Sequence, residues 1–234
     1  MYLDLGLEGR LVLVVGAGRV GRRKLAKVLE AGAKVLVVEP RPGAEVLALA
    51  RARAVELRPG FTEDLLEGVT LVFAASAEAD LNLAVAQAAR ARGVWVNVAD
   101  APESSDFFLP ATVTRGEFQV AVGTQGASPA LAARTAARLR REFGPEYAAL
   151  TRWLALLRPQ ILKSGLSPAE RRVRFRLLAE SDELRAHLAV GRLKEAADLS
   201  ARLVAPVKLD ELGLLSGRET LNVKEPSCAA TPIS

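Results

Sequence analysis

The chain has 234 residues, half of them hydrophobic and a quarter charged, with 32 Lys and Arg against 27 Asp and Glu for a net charge of +5. That composition is globular, with room for one doubly wound domain and a smaller second region. One cysteine and one histidine exclude an intrachain disulfide, a CxxC redox pair, and a histidine-built metal cluster or triad within one chain.

Residues 1–10 contain Asp4 and Glu8, and no apolar run approaches ~18 residues, so neither a signal peptide nor a membrane span is expected. A lone cysteine fits a reducing cytoplasm. The positive balance suits a surface coated with helical arginines, or an acidic ligand such as a polycarboxylate or phosphate. Nucleic acid is not expected, because basic and aromatic residues do not interleave.

After a lead-in to Gly9, Leu11 to Val15 is an apolar, β-branched run of the kind buried on both faces of a parallel sheet. Gly16-Ala17-Gly18-Arg19-Val20-Gly21 follows, and then a helix with Leu25, Val28 and Leu29 on one side and Arg22, Arg23, Lys24 and Lys27 on the other. Strand, glycine turn and helix in that order predict a dinucleotide site. Gly16 makes the tight turn, Gly18 leaves room for a pyrophosphate, and Gly21 lets the helix sit close to the strand.

The helix stops at Ala31-Gly32. Lys34 to Glu39 is the second strand, and Glu39 lies 18 residues after Gly21, where an acid accepts hydrogen bonds from the adenosine ribose and repels a 2′-phosphate. Arg41 pulls the other way. The balance favours NAD over NADP as cofactor. A short helix over 44–53, a weak strand over 54–57, and a helical turn capped by Thr62 come next. Leu71 to Ala75 is the fourth strand, ending in Ala75-Ser76, small residues that leave space for a cofactor at the carboxyl edge of the sheet. A helix over 80–90 and a strand over 94–98 complete a βαβ series and hence a parallel sheet.

Asp100 follows that fifth strand, in Asn97-Val98-Ala99-Asp100-Ala101-Pro102. It is either a proton acceptor or donor at the edge where this fold places chemistry, or an aspartate that starts the turn before Pro102. The pattern then changes. Phe107 to Thr114 and Phe118 to Gly123 flank Arg115-Gly116-Glu117 as a hairpin. Ser128 before Pro129 starts a helix that runs to about Phe143 and carries Arg134, Arg138, Arg140 and Arg141. Its amino end is either an ordinary cap or an anion site. Residues 145–204 read as all helix, with a capping box at Ser167 and Glu170. Trp153, Leu154, Leu156, Leu157 and Ile161 form one apolar stripe, and Phe175, Leu177, Leu178 and Leu184 another; both suit a core or dimer contact. Residues 205–234 read as a loosely ordered tail.

Taken together, VVGAGRVGRRKLAKVLEAGAKVLVV, LVFAAS, NVADAP, FFLPATVTRGEFQVAVGT and QGASPALAARTAARLRREF resemble the precorrin-2 dehydrogenase / sirohydrochlorin ferrochelatase family, also found as the N-terminal half of fused siroheme synthases. The resemblance covers residues 10 to about 143 and is carried most specifically by NVADAP, FFLPA and GASPALA. It implies an α/β fold: a Rossmann-type NAD-binding domain over 1–106, a dimerisation segment over 107–144, a helical C-terminal region over 145–204, and the tail. It implies NAD-dependent oxidation of precorrin-2 to sirohydrochlorin by a homodimer, on the way to siroheme or cobalamin, with chelatase activity in some relatives.

Asp100 matches the family's catalytic aspartate. The cofactor contacts map to Gly16, Gly18, Arg19, Val20, Gly21, Glu39, Pro40 and Arg41, with Ser76 beside them. Ser128 falls on the substrate side, and Arg115, Arg134 and Arg138 are candidates for gripping the substrate's carboxylates. No metal ligands are expected, and 234 residues leave no room for the methyltransferase half of the fused enzymes. An alternative class is a redox sensor that binds NAD(H) and signals to a partner, although 145–204 shows no helix-turn-helix signature.

Overall fold

The structure is a computed structural model, and it describes residues 3–208. The expected tail lies outside the described residues from 209 onward, as does Cys228. The chain divides into two compact units. The first runs through Leu109 and takes in Gln125–Ala127; the second holds Pro110–Thr124 and resumes at Ser128.

The first unit is a five-stranded parallel sheet with order β3-β2-β1-β4-β5, where β1 is Leu11–Val15, β2 Lys34–Val38, β3 Glu56–Arg58, β4 Val69–Ala74 and β5 Trp95–Val98. The crossovers are α1 (Arg19–Glu30), α2 (Ala44–Arg51), a 3-10 turn (Glu63–Leu66) and α3 (Ala79–Ala91). In β1 every residue after Leu11 is buried, as a strand covered on both faces requires. The sheet divides two cores. Leu13, Val15, Val72 and Ala74 point to one, with Val85 and Ala89 of α3. Val12, Val14, Leu71 and Phe73 point to the other, with Leu25 and Val28 of α1. Strand order reverses at the β1–β4 neighbours, so the crevice of the doubly wound fold opens there, outside the carboxyl ends of the strands.

The second unit begins with the expected hairpin, β6 (Ala111–Arg115) and β7 (Phe118–Val122), turning at Gly116 with φ +58°. Five helices follow: α4 (Pro129–Glu142), α5 (Glu146–Leu162), α6 (Pro168–Glu180), α7 (Asp182–Ala189) and α8 (Leu193–Val204). Their core is built on Trp153, Leu157 and Ile161 of α5, Leu178 of α6, Leu184 of α7 and Ala196 of α8. The stripes read from sequence therefore meet each other, except that Leu177 is exposed. Trp153 is wholly buried, and its indole N–H donates to the buried Ser200 Oγ at 3.0 Å, so the largest core side chain leaves no polar atom unpaired. The capping box is present: Ser167 Oγ accepts from the Glu170 N–H, and the Glu170 carboxylate accepts from the Ser167 N–H.

Some local expectations change. Thr62 occupies the cap position of the 3-10 turn but makes no side-chain cap bond. The weak third strand is shifted to Glu56–Arg58, because the residues paired with the end of β2 fix its register. Lys24 does not belong to the solvated face of α1. It stands three residues after Gly21 and four before Val28, both buried against the sheet, and its aliphatic stem follows them inward.

Candidate functional site

The glycine turn forms because only glycine fits it. Gly16 has φ +90°, and a Cβ there would come within 2.5 Å of the Ala75 carbonyl carbon and oxygen at the end of β4. A Cβ on Gly21 would lie 2.9 Å from the Gly16 carbonyl carbon and would overlap its oxygen. Gly18 differs: its φ is −66°, and nothing lies within 4 Å of where its Cβ would be. The middle glycine therefore answers no demand of the fold. It leaves an open cradle at the N-cap of α1, where no side chain caps the helix and the first turn holds no acid. Such a helix end suits the negative charge of a diphosphate.

Glu39 locks this turn. One carboxylate oxygen accepts from the Ala17 N–H at 2.8 Å and the other from the Arg41 N–H at 3.1 Å. Each oxygen keeps a lone pair for a ribose hydroxyl. Arg19, Pro40 and Arg41 are exposed around the turn, and Val20 is partly so. Ser76 stands on the other wall of the crevice. Its Oγ donates to the Glu78 carbonyl at 3.0 Å, and its peptide is clamped by Asn82, whose Oδ1 accepts from Ser76 N–H and whose Nδ2 donates to Ser76 O. These residues fit a nicotinamide dinucleotide: a glycine crook, an uncapped helix end, an acid after β2 and a small residue after β4.

Asp100 lies at the carboxyl end of β5, on the same sheet edge as the glycine crook after β1. With β4 between them the two strands stand two spacings apart, ~10 Å. Asp100 is exposed and has φ +60°, a left-handed conformation uncommon outside glycine that holds its side chain out of the strand line. The loop after it is tied down: Ser105 Oγ accepts from the Val98 N–H at 2.9 Å, and Asp106 accepts from the Val96 N–H at 3.0 Å and from Arg90 at 2.9 Å. At Gly126, of the short segment that returns to this unit, a Cβ would lie 3.3 Å from Phe108 and from Pro102.

Three polar side chains near this edge escaped the sequence reading. Asn82 and Asn97 are buried, and Lys24 Nζ donates to Asn97 Oδ1, while Asn97 Nδ2 donates to the Phe107 carbonyl at 2.8 Å. Burial, with help from the neighbouring Arg23 and Lys27, lowers the Lys24 pKa to about 8, and the Asp100 charge opposes that shift. The signal was present for Asn97, a single amide in the strand VWVNV. It was masked for Lys24 by its basic neighbours Arg22, Arg23 and Lys27.

In the second unit, Ser128 caps α4 as expected: its Oγ accepts from the Leu131 N–H at 3.3 Å, and Pro129 takes the first helical position. Arg134 and Arg138 are exposed on α4, one turn apart. Arg115, a candidate for the substrate's carboxylates, also has a structural role. Its guanidinium donates to the Phe143 carbonyl at 2.9 Å, the Arg140 carbonyl at 3.0 Å and the Thr114 carbonyl at 3.3 Å, closing the carboxyl end of α4. Among the described residues no group of three or more His, Cys, Asp or Glu is gathered for a metal, and no helix is long and apolar enough to cross a membrane.

A family profile for NAD(P)-binding domains matches residues 3–111. The siroheme synthase of Methylococcus capsulatus is 38% identical over 214 residues, 88% of this chain and 45% of the relative. That of Stutzerimonas stutzeri is 36% identical over 215 residues, 91% of this chain and 46% of the relative. Among solved structures, "SirC, precorrin-2 dehydrogenase" superposes with a TM-score of 0.66 at 27% identity, covering 86% of this chain and all of that one. The chain is thus similar to siroheme synthases along most of its own length and to a precorrin-2 dehydrogenase in fold. It spans about half the length of the curated siroheme synthases it matches. The region matched by the NAD(P)-binding profile coincides with the unit that carries the glycine crook, Glu39 and Asp100.

Proposed function

We propose that this chain is an NAD⁺-dependent dehydrogenase that oxidises precorrin-2 to sirohydrochlorin. The observation that carries the reading is the shared sheet edge: an open dinucleotide cradle at Gly18 and, two strands away, a carboxylate held out of line at Asp100. NAD⁺, when bound, supplies the hydride acceptor. The protein's own work is to position the dinucleotide and to take the proton. Gly16, Gly18 and Gly21 with the start of α1, Arg19 and Val20 receive the diphosphate. Glu39 accepts from the adenosine ribose, and its negative charge favours NAD⁺ over NADP⁺ although Arg41 stands nearby. Pro40 and Ser76 line the walls. Asp100 accepts the proton that leaves the macrocycle as the hydride goes, so the two-electron oxidation balances.

For the acidic substrate we assign Ser128, Arg134 and Arg138, whose hydroxyl and guanidinium groups suit carboxylates. Arg115 stays a candidate as well, although two of its donors serve the end of α4. Asp100, as a proton acceptor, also suits the loss of pyrrole protons when Fe²⁺ enters the product. We further propose a cytoplasmic homodimer formed through 107–144, a segment whose α4 exposes Leu131 at 56%.

The test is anaerobic precorrin-2 with NAD⁺, followed by sirohydrochlorin absorption and NADH formation. Asp100→Ala is expected to lower turnover by about 10²–10⁴-fold while NAD⁺ still binds. Wild-type turnover in that variant removes Asp100 from the chemistry. Tight NADH binding with no tetrapyrrole oxidation by the unmodified protein favours a redox sensor instead. Fe²⁺ added to the same assay reads metal insertion as siroheme formation.

A further inference from the structure

The least expected side chain in the nucleotide-binding unit is Lys24. It sits in a helix whose inward face is otherwise Gly21, Leu25 and Val28. Its ammonium lies 5.1 Å from the centre of the Phe73 ring, and Phe73 in turn packs edge-on against Phe107 at 5.4 Å. Its polar partner is Asn97 Oδ1. Asn97 is fixed from the other side by its bond to the Phe107 carbonyl and by its place in β5, paired with Phe73 of β4. A lysine laid over the Phe73 ring and onto a buried amide is costly to desolvate, and a polar surface residue gains nothing there. The arrangement needs another reason.

Asn97 is three residues before Asp100, and the positive φ of Asp100 turns the chain at the end of β5. Among the charged groups that act on Lys24, Arg23 and Lys27 belong to its own helix, and the one of opposite sign is Asp100. The groups that meet Lys24 from β4 and β5 are the Phe73 ring and the Asn97 amide.

We propose that Lys24 is a positioning residue for Asp100: bonded to Asn97 near the carboxyl end of β5, it fixes the strand end from which Asp100 projects and sets a positive charge on that side of the carboxylate, so that Asp100 is oriented to receive the substrate proton. The assignment rests on the dehydrogenase reading, in which Asp100 is the proton acceptor. Lys24 touches neither nucleotide nor macrocycle in this account. It acts through the position of another side chain.

The charge of Lys24 is lost as pH rises through about 8. Turnover in the unmodified protein therefore falls above that pH. The experiment compares the full-length protein with K24M, K24R and D100N. First, ¹³C-lysine NMR follows the Lys24 side chain, assigned by its absence in K24M, through pH 6–11 in the absence of substrate. Removing the Asp100 charge in D100N is expected to move the Lys24 titration to lower pH. An unchanged titration overturns the proposal and leaves the dehydrogenase reading standing.

Second, turnover of precorrin-2 is measured against pH. K24M is expected to lose about 100-fold in kcat, the scale of a misplaced reacting group, with NAD⁺ affinity unchanged. K24R is expected to recover part of that rate and to carry it into the alkaline range, since guanidinium stays charged there. A K24M enzyme with unaltered kcat, or one altered only in NAD⁺ affinity, overturns the proposal. If Asp100→Ala also turns over normally, the dehydrogenase reading fails with it, so the two failures are distinct.

Discussion

Gly16 and Gly18 stand two residues apart and predict opposite outcomes for the same substitution. Gly16→Ala forces a Cβ into the Ala75 carbonyl at a φ of +90°, so the turn itself must deform, at a cost of about 1–3 kcal/mol. Gly18→Ala meets open space at an ordinary φ, and its stability cost is only about 0.5 kcal/mol, the weaker N-cap preference of alanine. NAD⁺ affinity is nonetheless expected to fall at least about tenfold, because the methyl occupies the diphosphate cradle. Thermal unfolding and NAD⁺ titration on the two variants separate fold from binding. A Gly18→Ala protein that binds NAD⁺ like the unmodified one contradicts the cradle.

Lys24 makes a second prediction at this scale. Its pKa is lowered from 10.5 to about 8 in the folded chain, so the unfolded chain binds the proton more tightly between those values. Stability contributed by this group therefore rises as pH goes from about 8 to 10.5, and denaturant melts are expected to show that rise in the unmodified protein and lose it in K24M.

Among the elements, α4 is secured at both ends by side chains the sequence displays unequally. Ser128 followed by Pro129 announces the amino end, and the cap is there. The carboxyl end is closed by Arg115, which lies 28 residues from its partner Phe143 and comes from the hairpin, so no local pattern reveals it. Arg115→Met is expected to cost the second unit about 1–3 kcal/mol by leaving helix-end carbonyls without donors, with NAD⁺ binding unaffected. An unaltered melting curve contradicts the capping role.

The same contrast explains Lys24. Helical periodicity places residue 24 on the inward face, yet its basic neighbours make the whole segment read as solvated. What brings it inward is Asn97, 73 residues away. The strands of the nucleotide-binding unit were legible because burial on both faces demands apolar runs. The edges of β3 were less so, since pairing with β2 sets them.

For the molecule as a whole, a homodimer gives a mass near twice 24.9 kDa by sedimentation, and Leu131→Glu, at an exposed apolar position of α4, is expected to shift it toward the single-chain value. Fold class was plain from sequence, because the glycine turn, the acid after β2 and the βαβ alternation are local or nearly so. The helical unit was legible as helices, but not as the partner of the hairpin that precedes it. The central claim is that one edge of the parallel sheet holds both the dinucleotide and the proton acceptor. A crystal structure with NAD⁺ bound tests it most directly. Diphosphate density is expected on the backbone N–H groups from Gly18 to Val20, the adenosine ribose on Glu39, and the nicotinamide ring on the β4–β5 side facing Asp100. Diphosphate density away from Gly18, or a nicotinamide directed toward β3, contradicts it.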